Sequence, residues 1–332
     1  MMRIVAEAYA RAGLLGNPSD GYFGKTIAIT IKNFAARVWM CESHDIRICA
    51  SEDELEIYQN GKELINKINL YGYHGGRPLI KAAVKVFFEY CRSQNIPVED
   101  KKFVVWYEST IPRQVGLGGS SAIVVAALRG LMKFYEVDIP IEVQPTLALR
   151  AEVDELGIIA GFMDRVVQVY EGCVYMDLDR RLIEERGYGG YERLDPKFLP
   201  PLYLAYKPDL SKVSGRALSD IRLAYEKKDA STLSALNRLA GIAAEGREGY
   251  LRRDFTRWPA LMNENFDLRA RIMRISEGDL DMIKTARRCG ASAKFAGSGG
   301  SIIGIYDGED MYECLVRELS RLEAVTLKPI IS

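Results

Sequence analysis

Thr26-Ile27-Ala28-Ile29-Thr30-Ile31 alternates with a period of two residues, which predicts a strand. Ala36–Met40 and Ile46–Cys49 predict two more, and residues 2–10 are apolar-rich and extended in character. Those first residues lead into Arg11-Ala12-Gly13-Leu14-Leu15-Gly16-Asn17-Pro18-Ser19-Asp20, a segment dense in turn formers. The period changes at 77–93, where Leu79, Ile80, Ala83, Val84 and Phe87 recur at helical spacing and form a core-facing stripe. Phe103–Tyr107 reads as a strand and Ile123–Leu131 as an apolar helix, with a glycine-rich loop between them. A second helical stretch covers 144–156 and stops at Gly157. Residues 172–178 and 201–206 read as strands, 187–191 as a turn or mobile loop, and 214–276 as largely helical. The chain closes with a helix (279–288), a glycine-rich turn (297–300), a strand (301–306), a helix (309–323) and a short strand (325–330). Strands mixed with segregated helices predict an α+β protein. No repeat or long linker appears, and Pro196, Pro200 and Pro201 suggest two domains, 1–192 and 193–332.

Composition narrows the function classes. Lys+Arg and Asp+Glu both number 45, so no global field recruits nucleic acid or an anionic membrane. No apolar run reaches the length of a membrane helix, and no secretory leader is visible. The six cysteines lack a Cys-x-x-Cys pair, and only His44 and His74 could join them, which argues against structural zinc. Reduced thiols and a cytoplasmic location are expected.

The chemistry concentrates in Ile111-Pro112-Arg113-Gln114-Val115-Gly116-Leu117-Gly118-Gly119-Ser120-Ser121-Ala122. Its position between strand and helix lets backbone amides approach a ligand, and the new helix turns unpaired N–H groups and its positive end toward it. The expected ligand is a phosphate. No lysine stands between Gly119 and Ser120, so this is not a P-loop, and the third glycine of the dinucleotide fingerprint is missing. By itself the segment fits a small-residue turn and helix cap equally well.

Four separated segments, in order over nearly the whole chain, resemble the motifs of the GHMP kinases (galactokinase, homoserine kinase, mevalonate kinase and relatives). Arg11-x-x-Leu14-x-Gly16-Asn17-Pro18-x-Asp20 is similar to the family's amino-terminal substrate motif, with Asn17-Pro18 where galactokinase has Glu-His. Residues 112–122 resemble its phosphate loop, with Gly119 in place of the first serine. Glu152, twelve residues before Asp164, resembles the metal-ligand glutamate paired with the catalytic aspartate. Ala293-Lys294-Phe295-Ala296-Gly297-Ser298-Gly299-Gly300 resembles the carboxy-terminal glycine motif. The resemblance implies a GHMP kinase fold: an N-terminal α+β domain of the ribosomal S5 domain 2 type and a C-terminal ferredoxin-like domain.

The resemblance also implies roles. Asp164 and Arg11 are the catalytic pair; Pro112, Gly116, Leu117, Gly118, Gly119, Ser120, Ser121, Ala122, Gly297, Ser298 and Gly299 hold ATP; Ser120 and Glu152 hold Mg2+. Asn17, Asp20, Tyr22, Arg77 and Arg113 are the substrate candidates, the two arginines because a guanidinium fork matches a carboxylate. Segments such as Asp164-Arg165-Val166-x-Gln168-Val169-Tyr170 are most similar to the glucuronokinase branch, which implies phosphorylation of D-glucuronate at its anomeric oxygen. Another kinase of the family, acting on a heptose phosphate or neutral hexose, and a non-catalytic ligand-binding protein stay open, as do a monomer and a homodimer. Each residue also has a plainer reading: Glu152 in a solvated acidic run, Asp164–Arg165 as a surface ion pair, Arg11 as a structural salt-bridge partner, Tyr22 as core.

Overall fold

A computed structural model describes residues 3–49, 55–73, 77–208 and 214–331. Strand β1 (Arg3–Leu15) pairs along its length with the 19-residue β2 (Lys25–Ser43). The far side of β2 is shared: its second half takes β5 (Lys102–Ser109) and its first half β6 (Cys173–Asp177). With β3 (Ile46–Cys49), β4 (Leu55–Tyr58) and β7 (Gly190–Leu194) this makes a seven-stranded sheet, β4-β3-β5-β2-β6-β7 with β1 on β2. The β3–β5 pair is parallel and the others antiparallel.

Helices α1 (Gly61–Tyr71), α2 (Pro78–Ser93), α3 (Gly119–Tyr135), α4 (Gln144–Val153), α5 (Met163–Tyr170) and α6 (Arg180–Arg186) belong to this first part. The central one is α3, buried without a break from Ser121 to Leu128 because it packs on β1 and β2 and is flanked by α2, α4 and α5. Small residues permit that approach: β1 presents Ala6, Ala8, Ala10 and Ala12, and a Cβ on Gly130 would lie 2.9 Å from Met40 Sδ.

The remainder forms a four-stranded antiparallel sheet, β11-β8-β10-β9, from β8 (Leu202–Tyr206), β9 (Lys294–Phe295), β10 (Ser301–Ile305) and β11 (Val325–Leu327). Helices α7 (Ser214–Glu226), α8 (Ala230–Arg252), α9 (Trp258–Ile272) and α10 (Glu277–Arg288) lie between β8 and β9, and α11 (Gly308–Ser320) between β10 and β11. Strand order 4-1-3-2 in a β–helices–β–β–α–β chain is the ferredoxin-like arrangement. Helix starts follow their caps: Asp229 accepts from the Thr232 N–H, Ser276 from the Asp279 N–H. Among the described residues no helix is long and apolar enough to cross a membrane.

Several local expectations change. Residues 11–15 are strand, since Leu14 and Leu15 are fully buried and the Gly13 N–H donates to Ala296 O at 2.7 Å, a partner remote in sequence. The strands expected at 26–31 and 36–40 are one, because a register shift at Tyr9/Ala10 carries β1 past Lys32–Phe34 without ending the pairing. Gly190 and Tyr191, read as turn or mobile loop, begin β7, where Met176 and Asp177 of β6 pair with them. Cys289 and Cys314, expected as free thiols, are joined as a disulfide, since α10 and α11 pack side by side with these Cα atoms 5.9 Å apart. His74, with Gly75 and Gly76, lies outside the described residues.

Candidate active site

Three elements bring the candidate groups together: β1 supplies Arg11, the N-terminus of α3 the glycine loop, and the first turn of α5 Asp164. Arg11 forks onto Asp164, Nε to Oδ1 and Nη2 to Oδ2, both at 2.6 Å. Its third nitrogen donates to Gly116 O at 2.6 Å, and its backbone N–H to Leu117 O at 3.1 Å. One residue therefore holds the carboxylate and the loop at a fixed separation.

The loop is shaped by Gly116 and Gly118, whose φ values of 69° and 73° are open to glycine at little cost. Its two serines do different work. Ser121 is buried and spends its hydroxyl on Gly118 O at 3.0 Å, while Ala122 is sealed in the core, so both shape the turn. Ser120 is half-exposed, and its Oγ donates to Glu152 Oε1 at 2.7 Å. Leu117 anchors the loop in the core, Pro112 is half-buried, and Arg113 stands in solvent. Opposite lies the turn after β9: a Cβ on Gly297 would fall 2.0 Å from Gly116 O and 2.6 Å from Arg11 Nη1. A Cβ on Gly116 would meet Gly299 O at 2.6 Å and Ser298 N at 3.0 Å. The two glycine segments thus pack backbone on backbone, with the Arg11 guanidinium between them. Asp279 fixes the far end, accepting from the Gly300 N–H at 2.8 Å.

Glu152 is far from a solvated surface acid. It is fully buried, and its Oε2 accepts from Arg165 Nε at 2.7 Å and also from Arg165 Nη2. Arg165 is 3% exposed, gives Nη1 to Gly161 O at 2.9 Å, and lies 3.8 Å from Asp164 Oδ2. Burial by itself raises the Asp164 carboxyl, but the Arg11 and Arg165 charges and the Arg11 hydrogen bonds together outweigh it, holding the group below the ordinary carboxylate range. Asp20 moves the other way: burial, then the Asp164 charge, raise it against the Met163 N–H and the same arginines. Two neighbouring carboxyls are thus pushed apart in acidity.

Of the substrate candidates, Asp20 is buried beside the turn that carries Asp164, accepting from Met163 N–H at 3.1 Å and pressing on Gly161, where a Cβ would come within 2.1 Å of Oδ2. Tyr22 is half-buried with its ring 4.7 Å from that of Tyr225, and burial and Asp20 push its hydroxyl up to about 12. Asn17 is 2% exposed, and its Oδ1 accepts from Lys294 Nζ at 2.5 Å. Arg77 precedes α2, its guanidinium 4.0 Å from the centroid of the Tyr107 ring.

Residues beyond the sequence reading complete the frame. Gln168, one helical turn after Asp164, donates from Nε2 to Tyr9 O at 3.0 Å and Gly118 O at 2.8 Å. Lys294, fully buried, ties Gly13 O (2.7 Å), Asn17 Oδ1 and Phe295 O (2.9 Å); burial, then Arg269 and Arg11, lower its pKa well below the ordinary lysine range. Asn265 closes the same corner, accepting from the Gly16 N–H at 2.7 Å and donating to Asn17 O at 3.0 Å. The available signals were adjacency to Asp164 for Arg165, helical spacing from it for Gln168, and the opening of the glycine motif for Lys294.

A glycine loop at a helix start, a serine paired with a buried glutamate and an arginine-held aspartate suit phosphoryl transfer, which asks mainly for positioning and charge neutralisation. Comparison with known proteins points the same way. The family model described as the GHMP kinases N terminal domain matches residues 78–172. Glucuronokinase 1 of Arabidopsis thaliana is 39% identical over 330 residues, covering 98% of this chain and 91% of its own. Probable glucuronokinase 2 of the same plant is 42% identical over 304 residues, covering 90% of this chain and 82% of its own. The crystal structure of Methanococcus jannaschii mevalonate kinase superposes with a TM-score of 0.74 at 17% identity, covering 100% of this chain and 99% of that one, a likeness of fold. By its sequence over nearly its full length and by its fold, the chain belongs to the GHMP kinases.

Proposed function

We propose that the protein is a cytoplasmic sugar 1-kinase that transfers the γ-phosphoryl group of ATP to the anomeric hydroxyl of D-glucuronate. The observation that carries the reading is identity near 40% to two glucuronokinases through both parts of the chain. The site geometry supports the reaction class. The amides of 116–121 and the positive end of α3 receive the nucleotide phosphates. Asp164, ionised beside Arg11, accepts the hydrogen bond of the attacking hydroxyl and takes its proton as the O–P bond forms. Arg11 keeps that carboxylate oriented and offsets charge on the group in flight. Asp20 accepts from a sugar hydroxyl, and Arg77 and Arg113 are the arginines proposed to read the uronate carboxylate.

Ser120 Oγ and Glu152 Oε1, 2.7 Å apart, offer two hard oxygens spaced as neighbouring ligands of one ion. They fit Mg2+, which when bound would neutralise the triphosphate, and Ser120 and Glu152 are the residues proposed to hold it. Among the described residues no three His, Cys, Asp or Glu side chains converge, so the remaining ligands are left to phosphate and water.

The test is ATP consumption over glucuronate, galacturonate, glucose, galactose and a heptose phosphate. Turnover confined to glucuronate, with the phosphate on the anomeric oxygen, is expected. Turnover confined to a neutral sugar or a heptose phosphate would discard the uronate assignment and keep the kinase.

A further inference from the structure

Resting on the proposed metal site, a second property follows from its charge balance. Glu152 already has a cation. Arg165 forks onto Oε2 through Nε and Nη2 while Ser120 occupies Oε1. Arg165 is 3% exposed and Glu152 fully buried, and the third guanidinium nitrogen is held by Gly161 O, so the arginine has no route into solvent. Asp164, the next carboxylate, is matched by Arg11. The Glu152 carboxylate beside Ser120 is therefore already paired before any ligand enters, with a fixed positive group on its far side. A bare divalent ion gains little from a carboxylate whose charge is already cancelled at contact distance, and it is repelled by the guanidinium. Phosphate oxygens arriving with the ion reverse that balance, since they bring both negative charge and the missing ligands.

We propose that Arg165 is a built-in counter-cation of Glu152 that makes divalent-metal binding at Ser120 and Glu152 conditional on nucleotide. The metal then enters as the metal–nucleotide complex, and the free ion does not occupy the site. Arg165 acts through Glu152 and is a positioning residue.

The probe is Mn2+, followed by water-proton relaxation, which separates protein-bound from free ion, on the full-length protein with and without a non-hydrolysable ATP analogue. The wild type should hold Mn2+ alone at least about tenfold more weakly than in the ternary complex. Arg165→Gln should bind Mn2+ alone about tenfold more tightly than the wild type, and Arg165→Lys, which keeps the charge, should not. Added Mn2+ should also raise the melting temperature of Arg165→Gln while leaving the wild type unmoved. Wild-type protein that holds Mn2+ equally well without nucleotide would overturn the proposal even if Arg165→Gln fails to fold. Unchanged Mn2+ affinity in Arg165→Gln, with Glu152→Gln still weakening the ternary complex, would overturn it and leave the metal site standing. A ternary complex unaffected by Glu152→Gln would remove the metal assignment itself.

Discussion

Arg11→Met isolates the fork that the site is built on. The variant loses two charge-assisted bonds of 2.6 Å to Asp164 and one to Gly116 O, with side chains only 7% and 16% exposed. Breaking a largely buried pair costs about 3–5 kcal/mol of stability, and this one, near the protein surface on the aspartate side, should fall at the lower end. Loss of oriented charge at the reacting centre costs a further ~10²–10³ in kcat, about 2.7–4 kcal/mol of barrier. The sign of the pH effect follows from Asp164. Its folded pKa lies below the ordinary value of 3.8, so its stabilisation is fully present above the unfolded pKa and disappears as pH falls through the lower, folded one. Without Arg11, burial is opposed mainly by Arg165, 3.8 Å away, and the pKa rises. The acid limb of kcat/KM should therefore sit at higher pH in the variant, and its thermal stability should begin to fall at higher pH as well. Profiles of kcat/KM and melting temperature over about pH 3–8 measure both. An acid limb that stays in place, with kcat within about threefold of wild type, would refute the assignment of Arg11 as holder of a reacting carboxylate.

Other substitutions test separate contacts. Gly161→Ala places a methyl 2.1 Å from Asp20 Oδ2, so KM for the sugar should rise about tenfold or more while KM for ATP changes little; equal rises would remove Asp20 from the sugar. Gly297→Ala drives a methyl toward Gly116 O and Arg11, and should cost about 1–3 kcal/mol in thermal unfolding and weaken nucleotide binding by calorimetry. Asn17→Ala leaves the buried Lys294 ammonium one acceptor short, a loss of about 1–3 kcal/mol readable from denaturant midpoints. Ser120→Ala should raise the metal–nucleotide requirement more than the sugar KM, and parallel rises would contradict its role.

Much of this was legible where the signal is local. The strand at 103–107, the glycines of 116–119 and the apolar helix after them announce themselves within thirty residues, and the four motif segments meet around Arg11 and Gly116. What failed was decided by partners remote in the chain. Small residues at 12 and 13 read as turn, yet the strand continues because Ala296, Lys294 and β2 receive it. Helix α1 went unread because only Leu64 and Ile68 of its eleven residues are buried, too thin a stripe to stand out. The spacing of Glu152 to Asp164 already set it apart from a solvated acidic run, but its burial against Arg165 and its contact with Ser120 are details that spacing does not encode.

The Gly13–Lys294 contact joins residues 281 apart, and the Lys32 N–H reaches Ile330 O at 2.8 Å. Strand β1 is thus completed by a segment 281 residues further along the chain. A nascent chain can assemble β1, the glycine loop and α3, but the Gly13 amide, the Asn17 side chain and the outer wall of the Arg11 slot wait for residues 294–300. Such long-range closure forms late, after local structure is in place. The geometry around Arg11 is therefore incomplete until residues 294–300 are in place, and a chain cut short before residue 294 would carry every group of the phosphate loop without the wall that seats it.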